Sequence, residues 1–176
     1  MNVRRITKQD FDRIVEVIDH WWGGPLGTFA HPIFFYELGG QALVVEDEKD
    51  GQMIGFLLGF VVRAADSASS GSAGPLPASG SGSAGPLPAS DRADTGYVHL
   101  VGIHPDHRRK GVGRLLYERF TEACRAVGCR KMKAITAFGN EGSIRFHAAL
   151  GWDTTEIDDY AGPNRRRIVF TKQIQG

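Results

Sequence analysis

Long apolar runs are missing from this 176-residue sequence. No segment approaches the roughly 20 consecutive apolar residues that a membrane-spanning helix requires. The amino terminus, Met1 to Thr7, also lacks the apolar stretch of a signal peptide. We therefore expect a cytoplasmic protein that has no membrane partner.

An excess of charge of either sign is missing as well. The chain has 21 Lys and Arg against 20 Asp and Glu, which is a formal net charge of +1. Binding to nucleic acid, to a membrane surface or to a polyacidic partner is favoured by a strong basic balance. We therefore expect no nucleic-acid partner, and any basic site must be local.

Cysteine is scarce, since the chain has only Cys124 and Cys129. They lack the paired spacing of a zinc site, so we expect reduced, partly buried thiols. His99, His104 and His107 lie close together in the sequence, but no carboxylate or cysteine stands at a spacing that would complete a metal site. We expect no metal.

Large apolar side chains are almost absent from residues 66–94, which consist mainly of Ser, Gly, Ala and Pro. Within this segment, Ser-Gly-Ser-Ala-Gly-Pro-Leu-Pro-Ala-Ser occurs at 70–79 and again at 81–90. Such a composition predicts a flexible insertion. A Pro-rich docking site, or a lid over the site of reaction, is the alternative. We expect the whole chain, 1–176, to be a single domain.

Outside the insertion, hydrophobic periodicity predicts a mixed α/β architecture of the α+β type. Thr7 and Asp10 form a capping pattern for a helix that ends near Trp22. Its inner face is predicted to contain Phe11, Ile14, Val15 and Ile18. The other predicted elements are a helical piece at 33–38, a hairpin at 41–46 and 53–62, strands at 97–103, 131–137, 153–157 and 167–172, and helices at 110–127 and 140–150.

The most informative stretch runs from Val101 to Leu116, where a strand leads through a glycine-rich turn into a long helix. Gly111 and Gly113 let the backbone approach a ligand closely, and the N–H groups of the first helical turn point outward. The helix dipole favours a diphosphate there. Four basic side chains near the turn would also favour binding of the diphosphate: Arg108, Arg109, Lys110 and Arg114.

Two blocks of the sequence resemble the GNAT superfamily of acetyltransferases. The first is Arg108-Arg-Lys-Gly-Val-Gly113, an Arg-x-x-Gly-x-Gly pattern that follows a strand ending in Ile-His-Pro. It lacks the Gly-Lys-Ser or Gly-Lys-Thr of nucleotide hydrolases and the Gly-x-Gly-x-x-Gly order of dinucleotide-binding folds. The second block, Asn140 to Trp152, resembles the family's fourth helix and the Gly-aromatic turn that follows it.

The resemblance implies a GNAT fold, with a mixed, mostly antiparallel sheet of about seven strands and about four flanking helices. The insertion would lie between strands 3 and 4. Acetyl-CoA is the implied cosubstrate, and its acetyl group would pass directly to a primary amine of a small molecule or peptide in a ternary complex. The alternative is a catalytically silent acetyl-CoA-binding module for sensing or interaction. A homodimer remains open.

By the same resemblance, the strands at 97–103 and 131–137 splay apart. The pantetheine arm of the cosubstrate would insert between them and bind main-chain groups of Val101 and Ile103.

Further cofactor contacts are implied at two helix starts. The diphosphate would bind the turn from Arg108 to Arg114, with Val112 between its glycines. Asn140 matches an asparagine that commonly bonds the pantetheine arm, and Ser143 follows it on the same helix. An ordinary helix N-cap explains Asn140 equally well.

Acetyl transfer requires a neutral amine, a donor for the developing oxyanion and a proton for the departing thiolate. The resemblance implies a main-chain N–H near Val101 for the oxyanion and a tyrosine of the fourth helix for the proton. His147 occupies the tyrosine position in this sequence, and histidine can donate a proton near neutral pH. A structural histidine on the inner face of the helix is the alternative.

His99 is the candidate general base, because it resembles a strand histidine that some small-amine acetyltransferases of the family use. Strand alternation would place it on one face with Tyr97 and Val101. A structural or solvent-facing histidine is the alternative. Tyr97, Asp19 and Glu37 are reserve candidates.

Aromatic residues are concentrated between positions 21 and 36, where family members build the acceptor pocket. Such a wall suits an amine carried on an apolar body, and a cation can rest on the rings. We expect a pocket lined by Trp21, Trp22, Phe29 and Phe34. Packing of these rings into the core is the alternative.

Overall fold

The computed structural model describes residues 1–23, 29–63 and 94–174. Within this part of the chain, no helix combines the length and the apolar character needed to cross a membrane. The main elements, numbered in chain order, are β1 (Asn2–Arg5), α1 (Lys8–Trp22), α2 (Ile33–Tyr36), β2 (Leu43–Glu46), β3 (Met53–Val62), β4 (Thr95–Ile103), α3 (Val112–Ala126), β5 (Lys131–Ala137), α4 (Glu141–Ala149), β6 (Asp153–Ile157) and β7 (Arg167–Gln173). Two short 3₁₀ helices lie at Gly39–Gln41 and Pro105–His107.

The strands form one seven-stranded sheet in the order β1-β2-β3-β4-β5-β7-β6. Neighbouring strands are antiparallel except β4 and β5, which are parallel and are joined by the crossover helix α3. The predicted fold class is confirmed, because the described residues form a mixed, mostly antiparallel sheet of seven strands with four helices.

Helix α1 begins as its capping pattern predicts. The Thr7 hydroxyl accepts from the Asp10 amide at 3.3 Å, and the Asp10 carboxylate accepts from the Thr7 amide at 2.7 Å. Its inner face differs from the prediction at one position, because Val15 is 43% exposed and Val17 is buried. Trp21, one turn after Val17, shifts the apolar stripe toward that side of the helix.

Two apolar clusters cover opposite faces of the sheet, which we call the α1 face and the α3 face. The α1-face cluster includes Ile14, Ile18, Trp21, Val44, Phe56, Leu58 and Leu100. The α3-face cluster includes Leu57, Val98, Leu116, Tyr117, Phe120, Cys124, Met132 and Phe170. Each cluster buries the apolar stripe of its own helix against alternate residues of the strands.

The two cysteines are free and buried, in agreement with the sequence prediction. Burial raises the pKa of Cys124 to about 12, so this thiol stays protonated at neutral pH and is a poor nucleophile.

Residues 64–93 lie between β3 and β4, outside the described residues. They hold most of the insertion predicted at 66–94. The residues on either side of the gap are adjacent in space, since the Arg63 guanidinium forms an ion pair with the Asp94 carboxylate. The described residues on the two sides of the gap therefore meet at one place beside the sheet.

Gly59 lets helix α3 lie close to the sheet. A Cβ at this position would stand 2.5 Å from the Phe120 ring and 2.9 Å from the Tyr97 carbonyl oxygen. We expect Gly59→Ala to lower the free energy of unfolding by about 1–3 kcal/mol, as overpacking typically does. Denaturant titration would measure the change. Gly40→Ala is the control and should not destabilise, because no atom lies within 4 Å of its Cβ position. Unchanged stability of Gly59→Ala would contradict the close packing.

Candidate active site

Strands β4 and β5 pair only over their first halves. The ladder ends at Val98 and Ala134, although β4 continues to Ile103 and β5 to Ala137. The outer neighbours β3 and β7 stay paired with them to those ends. The sheet therefore opens between the last five residues of β4 and the last three of β5, which we call the β4–β5 cleft. The predicted splay is confirmed, and it leaves backbone N–H and C=O groups along the cleft without strand partners.

Helix α3 follows the open end of β4 and begins with unpaired amides. Gly111, with a φ of 85°, is its N-cap and supplies no side chain. The first bond of the helical ladder joins the Leu115 amide to the Gly111 carbonyl at 3.0 Å. The amides of Val112, Gly113 and Arg114 therefore have no partner within the helix, and the positive end of the helix dipole lies at the same place.

The two glycines of the turn have different roles. A Cβ at Gly113 would stand 3.1 Å from the Phe146 ring, so this glycine permits the close approach of α3 and α4. A Cβ at Gly111 would meet no atom within 4 Å. Glycine is instead required at position 111 because the backbone there is left-handed, a conformation that glycine adopts without strain.

Three of the four predicted basic side chains are available at this turn. Arg109, Lys110 and Arg114 are exposed, and none forms an ion pair with a carboxylate of the described residues. Arg108 differs, because its guanidinium donates to the Trp21 carbonyl and, through Nε, to the Ile103 carbonyl at 3.4 Å. Its positive charge lies at the carbonyl end of α1, where cations are stabilised. The Arg108 side chain thus joins the turn to α1, and its contact with a diphosphate remains a prediction.

Asn140 is the N-cap of α4. Its Oδ1 accepts from the Ser143 amide at 3.1 Å, and its Nδ2 donates to the Thr136 hydroxyl at 2.9 Å. The capping interpretation is therefore confirmed. Contacts of Asn140 and Ser143 with a cofactor remain a prediction.

His147 is 4% exposed, and its ring stacks on Phe170 with centroids 3.8 Å apart. Its Nδ1 lies 2.8 Å from the Ser143 carbonyl oxygen, which can only accept, so Nδ1 carries the ring proton. Its Nε2 then accepts from the Tyr117 hydroxyl at 2.9 Å. Burial lowers the pKa of His147 to about 4.

This geometry favours the structural interpretation of His147 over that of a proton donor. A ring with this pKa is neutral at physiological pH, and both of its nitrogens are occupied inside the core. The role of its partner, Tyr117, was not predicted from the sequence. The available signal was a polar ring at an inner position of α3, one turn before Phe120.

His99 occupies a β-bulge of strand β4. Leu58 pairs with Leu100, but Gly59 pairs with Val98, so His99 has no partner residue in β3. A bulge shifts the alternation of side chains along a strand by one residue.

The bulge separates two side chains that regular alternation would put together. Val101 packs against the α3-face cluster. His99 instead stacks on Phe34 of the α1 side, with ring centroids 3.6 Å apart. Phe34 also stacks on Phe60, whose ring is 5.1 Å from that of Tyr97. His99 therefore shares a face with Tyr97, as predicted, but the prediction that it shares a face with Val101 is wrong.

The hydrogen bonding of His99 leaves one nitrogen available. Its Nε2 lies 2.9 Å from the Phe29 carbonyl oxygen and must donate, because that oxygen can only accept. Nδ1 of the neutral ring is then an acceptor, and none of the described residues bonds to it. Burial lowers the pKa of His99, so the neutral form predominates at physiological pH.

The aromatic residues predicted to line an acceptor pocket are divided between core and surface. Trp21 is 4% exposed and stacks on Phe56 in the α1-face cluster, which favours the core alternative for this residue. Trp22 and Phe29 are 39% and 49% exposed. Phe34 is half-buried. These three rings remain candidates for contact with an acceptor.

The other polar candidates lie on the surface or in turns. Asp19 and Glu37 are exposed. His104 accepts from the Asp106 amide at 3.3 Å and lies edge-on to the Trp21 ring. Across residues 1–23, 29–63 and 94–174, no three His, Cys, Asp or Glu side chains are grouped so that they could hold a metal ion.

The family profile described as Acetyltransferase (GNAT) family matches residues 11–152, which is most of the chain. The protein belongs to the GNAT acetyltransferase family. The β4–β5 cleft and the glycine-rich turn of this GNAT protein both lie within the matched region.

Individual relatives match less of the sequence. The L-amino acid N-acyltransferase MnaT of Escherichia coli is 39% identical over 57 residues, which are 32% of this chain and 33% of the relative. The alignment thus spans about a third of the length of this curated relative.

Two solved structures are similar over nearly the whole GNAT chain. Chaetomium thermophilum Naa20 in complex with a bisubstrate analogue is 19% identical with a TM-score of 0.68, over 99% of this chain and 87% of that one. A phosphinothricin acetyltransferase of Sinorhizobium meliloti in complex with AcCoA is 18% identical with a TM-score of 0.66, over 98% and 88%. At these identities the similarity shows the fold.

The Tyr117–His147 pair makes a testable contribution to stability. Tyr117→Phe and His147→Phe each leave one buried polar group unpaired, so each should lower the free energy of unfolding by about 1–3 kcal/mol. The double variant removes both partners and should be less destabilised than the sum of the single variants. Denaturant unfolding of the four proteins would measure this coupling. Additive effects would contradict a direct bond.

Proposed function

We propose that this GNAT protein is an acetyl-CoA-dependent N-acetyltransferase that acts on a primary amine of a small molecule or peptide by direct transfer in a ternary complex. The observation that carries the proposal is the β4–β5 cleft, where the unpaired end of β4 leads through the glycine-rich turn to the unpaired amides of α3. When bound, acetyl-CoA would supply the acetyl group as an activated thioester. The MnaT relative, named an L-amino acid N-acyltransferase, is consistent with this activity.

The cleft and the turn fit the chemistry of acetyl-CoA. The pantetheine arm has amide groups, and the unpaired edge of β4 at Val101 and Ile103 offers backbone partners for them. The first-turn amides of α3 and the dipole of that helix suit the diphosphate. Three side chains, Arg109, Lys110 and Arg114, would add charge-assisted hydrogen bonds.

His99 would act as the general base. The bulge places it where β4 and β5 begin to separate, on the face that also carries Tyr97 and Phe34. Because Nε2 donates to the Phe29 carbonyl, Nδ1 is the atom that would take the proton of the acceptor ammonium. The neutral state of the ring at physiological pH suits this role.

Tyr97, which the sequence offers as a reserve for the base, would serve on this face as the proton donor. Burial raises the pKa of its hydroxyl to about 12, so the hydroxyl holds its proton at neutral pH. The corresponding proposal for His147 is weaker, because its ring is neutral and both nitrogens are bonded in the core.

Substitution at Gly111 should abolish binding of acetyl-CoA. Gly111→Glu would place a side chain and a negative charge where the diphosphate is proposed to bind. We expect calorimetry to show a dissociation constant at least about 100-fold weaker, as loss of charge-assisted bonds and added repulsion imply.

Gly128→Glu is the matched control for Gly111→Glu. Gly128 lies beyond the other end of α3, has a φ of 91° against 85° for Gly111, and likewise has no atom within 4 Å of its Cβ position. Both variants therefore bear the same backbone strain and gain the same charge. Equal affinity of the two variants for acetyl-CoA would show that the turn is not the diphosphate site.

Removal of the base should change the pH dependence of turnover. We expect His99→Gln, which can still donate to the Phe29 carbonyl, to lower kcat by about 10²- to 10⁴-fold. Burial disfavours the charged ring, so the active neutral form of His99 is present above a pKa that lies below 6.5 and is lost as the pH falls through it.

Release of free thiol from acetyl-CoA would be followed with a panel of polyamines, aromatic amines, amino acids and peptides. The parent should lose activity as the pH falls and His99 becomes protonated. The pH–rate profile of His99→Gln should lack this acid limb. A variant with the parent's turnover and acid limb would exclude His99 as the base. Acetyl-CoA binding without turnover on any amine would favour the silent module.

A further inference from the structure

We propose that Lys133 binds a carboxylate of the acceptor, so that the preferred substrates are amines that carry a carboxylate close to the amino group, such as free α-amino acids. The proposal rests on the N-acetyltransferase function proposed above and names the substrate class of the same site.

Strand register places Lys133 beside the proposed base. Lys133 is directly opposite Tyr97 in the parallel β4–β5 ladder. Its neighbours in β5, Met132 and Ala134, belong to the α3-face cluster. Because side chains alternate along a strand, Lys133 lies on the opposite face, which is the face of Tyr97 and His99.

The spacing suits a small acceptor. Adjacent strands are about 4.8 Å apart, and two residues along a strand cover roughly 6.6 Å. The backbones of Lys133 and His99 are therefore about 8 Å apart, a separation that a lysine side chain and a small bound acceptor can span together. An α-amino acid, whose nitrogen and carboxylate are joined through a single carbon, could contact both side chains at once.

The positive charge of Lys133 has no anionic partner in the described part of the chain. Its side chain is half-buried, and its Nζ lies 5.3 Å from the centroid of the Tyr160 ring. A ring face orients an ammonium group without neutralising its charge. The ammonium thus remains able to pair with an anion from outside.

Three acidic residues at the end of β6 and in the β6–β7 connection are already engaged elsewhere. Arg166 forms ion pairs with Glu156 at 2.6 Å and with Asp158 at 2.5 Å. Asp159 accepts from the Asn164 amide at 2.6 Å. None of these carboxylates pairs with the nearby lysine.

Tyr160 lies near both Lys133 and Tyr97. Besides burial, its proximity raises the pKa of Tyr97, which places the two rings near each other. Lys133 is therefore opposite Tyr97 in the ladder, and its ammonium group lies over the Tyr160 ring. An ammonium with aromatic walls and no internal counter-ion is a suitable site for the carboxylate of an amino acid.

The test compares amines that differ only in the carboxylate. L-phenylalanine would be assayed against phenethylamine and L-phenylalaninamide, and L-methionine against 3-(methylthio)propylamine, by release of free thiol. We expect the parent to prefer the acids. Lys133→Met should raise KM for the acids by about 10- to 100-fold, the cost of losing a charge-assisted bond, and change KM for the matched neutral compounds by less than about 3-fold.

Two further variants sharpen the comparison. Lys133→Arg keeps the charge and should recover part of the preference for the acids. Lys131→Met removes a lysine from the same strand and face, two residues farther from the cleft, and should leave the preference intact.

Three outcomes would overturn the carboxylate proposal. In the first, Lys133→Met raises KM equally for acids and neutral amines, which would make Lys133 a structural residue. In the second, the parent uses the neutral compounds as well as the acids. In the third, the parent turns over no amine although it binds acetyl-CoA. That last result contradicts the N-acetyltransferase function itself, whereas the first two leave it intact.

Discussion

The β4–β5 ladder is the constraint on which the candidate site depends. It ends at Val98 and Ala134 although both strands continue, each held by its outer neighbour. A gap in the middle of a sheet exposes backbone groups that would otherwise be paired, and it does so without creating a free outer edge. The bulge at His99 lies at the start of this gap and turns the histidine toward the α1 side.

The walls around the cleft are held by buried polar contacts as well as by apolar packing. Tyr117 and His147 join α3 to α4 inside the core, and Gly113 lets the two helices approach closely. On the other side, Arg108 joins the turn before α3 to the carbonyl end of α1. The helix that would bind the diphosphate is therefore fixed to both of its neighbours, and the first-turn amides are preorganised for an anion.

The elements were predictable because each has a strong local cause. The capping box of Thr7 and Asp10 starts α1, the left-handed Gly111 starts α3, and Asn140 caps α4. The roles of buried polar side chains were not predictable in the same way. The sequence places His147 at the position of the family tyrosine, but its pairing with Tyr117, 30 residues earlier, depends on how two helices pack.

By itself, the sequence determined the family, the order of the elements and the location of the glycine-rich turn, because periodicity, caps and turn residues act over a few neighbouring positions. Only the tertiary structure decided which side chains face the cleft. A single bulge separates His99 from Val101, packing takes Trp21 into the core, and the pairing of two distant strands sets Lys133 beside Tyr97. The bulge, the burial and the strand register all arise from contacts between residues far apart in the chain, and a local pattern contains no record of such contacts.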